Sequence, residues 1–188
     1  TSLPDQSSQK FNLLVFGGSL GARSINQAMI SGVQALKPYS DSVFIRHQTG
    51  KGSTAEVDKA YHEAGIQAQV LEFIDEIGPY YKWADLVVCR SGASTLAELT
   101  ALGKPAILIP YPFAIKDHQL HNARSLEQKG AAVIVNDSEL TSGILFQKII
   151  DFIGAPVKLE EMSENSRKLG RPQAARQIAR EILKLKRK

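Results

Sequence analysis

The sequence is poor in the residues that usually announce a chemistry. A single cysteine, Cys89, forms no intrachain disulfide, so no disulfide framework holds this fold. It sits inside the apolar run Leu86-Val87-Val88-Cys89, which reads as a packed core thiol and fits a reducing compartment. No apolar run is long enough to span a bilayer, and no signal-peptide pattern opens the chain at Thr1-Ser2-Leu3-Pro4. The first residue is not methionine, and the expectation is a piece of a longer protein. There is no G-x-x-x-x-G-K-[ST], which excludes a P-loop, and no D-x-D. No histidine–carboxylate cluster has metal-ligand spacing. His118 and His121 lie three apart, which two ligands would allow, but surface or cleft-edge positions suit them better. No aromatic platform accompanies the basic residues, so nucleic acid is not an expected partner.

What is present is an ordinary globular composition, 43% hydrophobic and 22% charged over 188 residues, enough for one large domain with its own core. The net charge of +4 is uneven. Arg167 to Lys188 holds nine Lys/Arg against one Glu, so this end carries +8 and the rest −4. Two readings stand: a solvated helix end whose cations suit the helix dipole, or attraction to an anionic membrane surface. Residues 1–10 are polar, with one proline, and read as a linker.

Apolar runs alternate with helical patterns along the rest. Strands are predicted at 11–16, 43–47, 69–73, 85–89, 106–110 and 131–135. Helices are predicted at 23–36, 54–64, 80–83, 94–102, 117–129, 141–153 and from 158 to the end, the last interrupted at Pro172. Gly103-Lys104-Pro105 supplies a glycine C-cap and a following proline. Strand–helix alternation of this kind builds βαβ units, giving an α/β, Rossmann-like doubly wound parallel sheet with helices on both faces.

The chain is organised around Asp85 to Glu98, D-L-V-V-C-R-S-G-A-S-T-L-A-E. A strand, the tight Arg90-Ser91-Gly92 turn and a helix from Ala93 or Ser94 aim free amides and a helix dipole at one point, where phosphate binds. Arg90 adds a cation and Gly92 permits close approach, while Glu98, one turn further on, suits the hydroxyls of a ribose. A plain strand–helix turn with a surface glutamate is the competing reading. Gly17–Ala22 is G-G-S-x-G-A, not G-x-G-x-x-G, and the second strand ends in Arg46-His47 where an NAD site needs an acid, so no NAD or other cofactor is expected. Ser19 and Ser91 have no base fixed beside them and read as hydrogen-bond donors. The loops at 17–22, 47–52, 73–76, 90–93 and 111–119 all follow strands, so the fold brings them to one edge. Arg90, amides and a helix dipole can offset a diphosphate without a divalent ion, so the expected chemistry is metal-independent.

These residues resemble the MurG family of N-acetylglucosaminyltransferases. The resemblance rests on G-G-S-L-G-A (17–22), H-Q-T-G-K (47–51), E-F-I-D (72–75), W-A-D-L-V-V-C-R-S-G-A-S-T-L-A-E (83–98), G-K-P-A-I-L-I-P (103–110), D-H-Q (117–119) and N-A-x-x-L-E-x-x-G-A-A (122–132). It implies the carboxyl-terminal half of a two-domain GT-B glycosyltransferase. Residues 11–188 would form the UDP-sugar donor-binding domain, and the amino-terminal acceptor domain would be absent from this chain. The implied activity is inverting transfer of N-acetylglucosamine from its UDP donor to the undecaprenyl-pyrophosphoryl-muramoyl-pentapeptide (lipid I to lipid II) of peptidoglycan synthesis.

By the same resemblance, Ser19 contacts the donor diphosphate, the Ile74 backbone reads the uracil edge, and Arg90 and the Ala93 amide hold the phosphates. Ser94, Thr95, Leu96 and Ala97 complete the donor-binding stretch that ends at Glu98 on the ribose, and Gln119 binds sugar hydroxyls. Gly17, Gly18, Gly21, Ser91 and Gly92 shape the phosphate loops. The loop 111–116 varies among relatives, which bears on the placement of Gln119. No catalytic residue is expected here, because the family's base lies in the amino-terminal domain. His47 is a weak substitute whose alternative is a structural hydrogen bond before Gly50. The implied partners are UDP-N-acetylglucosamine, the lipid I acceptor through the missing domain, and an anionic membrane surface at the cytoplasmic face of the inner membrane, where the intact protein would be peripheral. Two alternatives are a donor-binding subunit of a two-chain transferase and half of a UDP-sugar epimerase.

Overall fold

A computed structural model of the chain describes residues 10–18 and 21–185. Most of the expected linker (1–9), Ser19, and the basic end at 186–188 lie outside the described residues.

Six parallel strands form one sheet in the order β3-β2-β1-β4-β5-β6. They are β1 (Phe11–Phe16), β2 (Val43–Gln48), β3 (Gln67–Leu71), β4 (Leu86–Cys89), β5 (Ala106–Leu108) and β6 (Ala132–Ile134). The helices are α1 (Arg23–Gly32), α2 (Thr54–Glu63), α3 (Gly78–Trp83), α4 (Ala93–Leu102), α5 (His118–Glu127), α6 (Ser142–Ile153), α7 (Pro156–Leu169) and α8 (Ala174–Leu185). Leu13, Leu14 and Val15 of the central strand are fully buried, because that strand is covered on both faces. On one face Leu13, Val15, Ile45 and Val88 pack with Ile25 and Met29 of α1, Tyr61 of α2, and Phe146 and Ile149 of α6. On the other, Leu14, Phe16, Val87 and Cys89 pack with Tyr81 of α3, Leu96 and Leu99 of α4, and Ala123 and Leu126 of α5. Burial at this second face pushes the Cys89 thiol well above its ordinary pKa, so it is a core group and not a nucleophile.

Several boundaries differ from the sequence expectation by a few residues, and three of them show a local feature at the difference. The helix predicted to Leu36 ends at Gly32 and tightens into a 3₁₀ turn over Val33–Tyr39. Pro38 lies in that turn, has no N–H and would clash with a carbonyl four residues back in an α-helix. The strand predicted at 69–73 is shifted to Gln67–Leu71, and the apolar Phe73 that suggested the later end is exposed in the following loop. The α5 pattern opens with a 3₁₀ turn, Ile115–Asp117, in which Lys116 and Asp117 both take left-handed backbone angles. The break at Pro172 falls as expected, between α7 and α8. No helix among the described residues is long and apolar enough to cross a membrane.

The strand order reverses direction between β1 and β4. In sheets of this kind that reversal opens a crevice at the carboxyl ends of the strands, where ligands bind.

Candidate functional site

Phe16 of β1 and Cys89 of β4 are register partners at the crevice, so the loop after each faces the other. The loop after β1 is tight. The Gly21 N–H donates to the Gly18 carbonyl, and a Cβ on Gly17 would collide with the Ala22 amide. Gly21 has φ +75°, and a Cβ there would strike the Thr49 carbonyl oxygen. This loop is therefore packed directly on the loop after β2.

The turn after β4 delivers α4. Gly92 is its N-cap, with extended backbone (φ −64°, ψ 148°), and no side chain caps the helix. The first intrahelical bond runs from the Leu96 N–H to the Gly92 carbonyl at 3.0 Å, leaving the amides of Ala93, Ser94 and Thr95 for another acceptor. A Cβ on Gly92 would meet nothing closer than Thr95 Oγ1 at 3.9 Å, so the space above this terminus is open. Ala93, Ser94, Ala97 and Glu98 are exposed along one edge of the helix. Leu96 points the other way, its side chain in the core and its N–H already used, so it brings neither group to the crevice.

Arg90 is not a free cation. Its Nη1 donates to Asp137 Oδ1 and also approaches the carbonyls of Ile109 (3.1 Å) and Pro110 (3.2 Å). Its Nη2 donates to Ser24 Oγ at 2.9 Å, and Ser24 Oγ in turn donates to Asp137 Oδ1 at 2.7 Å. The guanidinium lies 5.5 Å from the centre of the Tyr111 ring. Arg90 thus ties α1, the loop after β5 and the segment after β6 into one frame around the crevice. The same frame reaches Gln119. Ser91 Oγ donates to the Gln119 carbonyl at 2.8 Å, and the Tyr111 N–H donates to Gln119 Oε1 at 3.0 Å. With Oε1 occupied, the Gln119 amide offers its NH₂ outward.

Glu98 receives a hydrogen bond from the Tyr81 hydroxyl at 2.9 Å. Ile74 is buried at the mouth of the loop after β3, and among the described residues its backbone N–H and C=O make no hydrogen bond. His118 and His121 are both exposed, and His118 Nδ1 donates to the Ile115 carbonyl at 2.8 Å. Among the described residues no group of three or more His, Cys, Asp and Glu is placed to hold a metal ion.

His47 is wholly buried and both ring nitrogens are used: Nδ1 contacts Tyr61 Oη at 2.7 Å and Nε2 contacts Asn26 Oδ1 at 3.1 Å. Asn26 Nδ2 donates to the Thr49 carbonyl at 2.9 Å, so Asn26 Oδ1 is the acceptor facing His47. That fixes the tautomer: His47 carries its proton on Nε2 and accepts from the Tyr61 hydroxyl at Nδ1. Burial drives the His47 pKa down to about 3. A neutral, enclosed imidazole without access to the crevice is no general base. It anchors Thr49, on which the glycine loop rests.

Next to it, the Arg46 guanidinium is enclosed by Trp83 at 4.1 Å and Tyr80 at 5.2 Å from the ring centres, with Nε and Nη1 buried and unpartnered. Burial lowers its pKa. The Arg46 position that disfavoured an NAD acid in the sequence is thus an internal cation held by aromatic faces.

Sequence reasoning did not find Tyr81, Asp137, Ser24, Asn26 or Tyr61. Their partners lie 14 to 113 residues away, and no local motif marks them.

The fold and crevice define a doubly wound α/β domain with an open helix N-terminus at its switch point, the architecture of nucleotide-binding domains. Residues 12–178 match the Glycosyltransferase family 28 C-terminal domain, and the chain belongs to this family. Over 171 residues it is 48% identical to the UDP-N-acetylglucosamine–N-acetylmuramyl-(pentapeptide) pyrophosphoryl-undecaprenol N-acetylglucosamine transferase of Myxococcus xanthus, covering 91% of this chain and 45% of that protein. The Geobacter sulfurreducens protein of the same name is 46% identical, with 95% and 49% covered. The chain spans about half the length of the curated relatives it matches. The crystal structure of Acinetobacter baumannii MurG superposes with a TM-score of 0.85 at 32% identity, covering 97% of this chain and 55% of that one. The UDP-GlcNAc 2-epimerase of Neisseria meningitidis, at 15% identity and TM-score 0.63, shares the fold (95% and 45% covered). The expected family and fold class are thus borne out.

Proposed function

We propose that residues 11–188 form the UDP-N-acetylglucosamine donor-binding half of an inverting, metal-independent transferase that converts lipid I to lipid II in peptidoglycan synthesis. The observation that carries this is the uncapped N-terminus of α4 in the switch-point crevice, with Glu98 exposed one turn beyond it. Phosphate at the amides and ribose at the carboxylate is the arrangement a nucleotide diphosphate needs. The names of the relatives favour uridine and N-acetylglucosamine as the rest of the donor.

In this reading the amides of Ala93, Ser94 and Thr95, with the helix dipole, stabilise the charge that grows on the leaving diphosphate. Ser19 adds a donor from the glycine loop shaped by Gly17, Gly18 and Gly21. Ile74 offers its free backbone groups to the uracil edge, and Gln119 its NH₂ to sugar hydroxyls. Arg90 acts as a framework cation whose field is shared with Asp137. The base that activates the acceptor hydroxyl belongs to an amino-terminal half. Phe113 and Ile115, exposed at 81% and 79% in the loop after β5, are an apolar edge where such a half would close. The lipid acceptor would draw the intact protein, as a peripheral one, to the cytoplasmic face of the inner membrane and its anionic surface. The epimerase reading has only fold-level likeness behind it, and the two-chain reading has no observation of its own.

The test is calorimetric titration of the chain with UDP-N-acetylglucosamine in EDTA, alongside Glu98→Ala. Binding that survives EDTA and weakens about tenfold or more in the variant supports the donor site. Binding that vanishes with EDTA, or is indifferent to Glu98, refutes it. Turnover is expected only when the amino-terminal half is present.

A further inference from the structure

Tyr81 is among the most deeply buried large side chains, 1% exposed, and yet it carries a hydroxyl. Its ring stands edge-on to Phe16 (5.9 Å, 72°) in the cluster with Leu14, Val87 and Cys89, directly beneath the crevice. A phenylalanine would bury the same ring with no polar atom to desolvate, so the core does not ask for the oxygen. The hydroxyl leaves that cluster at one point and donates to Glu98 Oε2 at 2.9 Å. Glu98 itself is exposed on the crevice edge of α4. Burial first, and then the nearby Cys89 and Glu98, push the phenol's pKa far up, so the O–H is a donor at every working pH.

We propose that Tyr81 is a positioning residue of the ribose subsite: its O–H holds one oxygen of the Glu98 carboxylate and so presents the other to a ribose diol. This rests on the donor-site reading above. A glutamate on an exposed helix edge samples several rotamers, and freezing it at binding costs affinity. A phenol rooted in the core removes that freedom beforehand. It also leaves most of the carboxylate's acceptor capacity for the 2′- and 3′-hydroxyls, since one donor occupies a single lone pair. The geometry is asymmetric: Tyr81 has no other hydrogen-bond partner for its hydroxyl among the described residues, whereas Glu98 retains a free Oε1.

The experiment is titration of the chain with UDP and with 2′-deoxy-UDP, for the wild type, Tyr81→Phe, Glu98→Ala and the double variant. The wild type is expected to prefer UDP. Tyr81→Phe should weaken UDP binding about tenfold, equivalent to about 1.4 kcal/mol, and 2′-deoxy-UDP less, so that the ratio falls. In the Glu98→Ala background Tyr81→Phe should change neither ligand. Tyr81→Phe keeps the ring, and its thermal midpoint serves as the folding control. An unchanged UDP to 2′-deoxy-UDP ratio, or the same loss in the Glu98→Ala background, overturns the positioning role and leaves the donor site standing. Failure of the wild type to bind UDP at all overturns both.

Discussion

Ala93→Pro isolates one amide at the α4 terminus. Ala93 is the first helical residue, where proline's fixed φ suits the helix and its missing N–H breaks no intrahelical bond. The residue before a proline must be extended, and Gly92 already is, at φ −64° and ψ 148°. Ala93 is exposed, so the ring meets solvent and not the core. The folded state should accept the change with a stability shift inside about 0.5 kcal/mol. What it loses is one N–H aimed at the crevice. A hydrogen bond to a charged group is worth about 1.5–3 kcal/mol, so UDP should bind roughly 10- to 150-fold more weakly. Uridine, which has no phosphate to meet that amide, should bind the variant as it binds the wild type. Titrating both ligands into both proteins, with thermal melts as control, reads the difference directly. UDP affinity unchanged in a folded Ala93→Pro protein would refute the claim that this terminus holds the diphosphate. A parallel loss for uridine would show that proline had distorted the crevice instead.

Two further outcomes follow from the framework around the crevice. His47 has its pKa lowered to about 3 in the fold, against about 6.5 when unfolded, so its contribution is complete above pH 6.5 and lost as pH falls toward 3. Urea denaturation from pH 7.5 to 5 should show a loss of about 2 kcal/mol that His47→Gln lacks, and an NMR titration placing His47 near 6.5 would sink the structural assignment. Asp137→Ala should destabilise the fold by about 1.5–3 kcal/mol, because Arg90, whose side chain is only 12% exposed, keeps its charge and loses its anion. A urea midpoint indistinguishable from wild type would show that water replaces the carboxylate.

The parts legible in the sequence are those whose signal is local. The strands announce themselves as short apolar runs, and the β4–α4 turn is written in consecutive residues from Cys89 to Ala93, so its place at the crevice follows from parallel strand order alone. Apolar residues mislead where the chain leaves the sheet: Phe73 extended the third strand on paper, although β3 is an edge strand and the residue lies beyond it. Arg90 shows a different limit of the sequence. A cation beside a phosphate-type turn looks like a phosphate ligand, but whether it is free depends on Asp137, 47 residues on, and nothing in the intervening sequence encodes that they meet. The same holds for Tyr81 and Glu98, 17 residues apart on different helices, and for Tyr61, His47 and Asn26 on three elements.

These long-range pairs share a physical logic. A crevice at strand ends is built from loops, and loops lack a ladder of backbone bonds to hold them. Here several of the motif residues are anchored by a buried or half-buried polar side chain from another element: Arg90 by Asp137 and Ser24, Gln119 by Ser91, Glu98 by Tyr81, and the glycine loop by Thr49 through Asn26 and His47. If the crevice takes a diphosphate as proposed, then with Arg90's charge already shared the attraction falls mainly on neutral backbone amides, which are directional and lose strength steeply with misalignment. A site that relies on directional donors needs its loops fixed to within a few tenths of an ångström, which is why so much of its polar chemistry is spent on itself and so little of it stands free in the crevice.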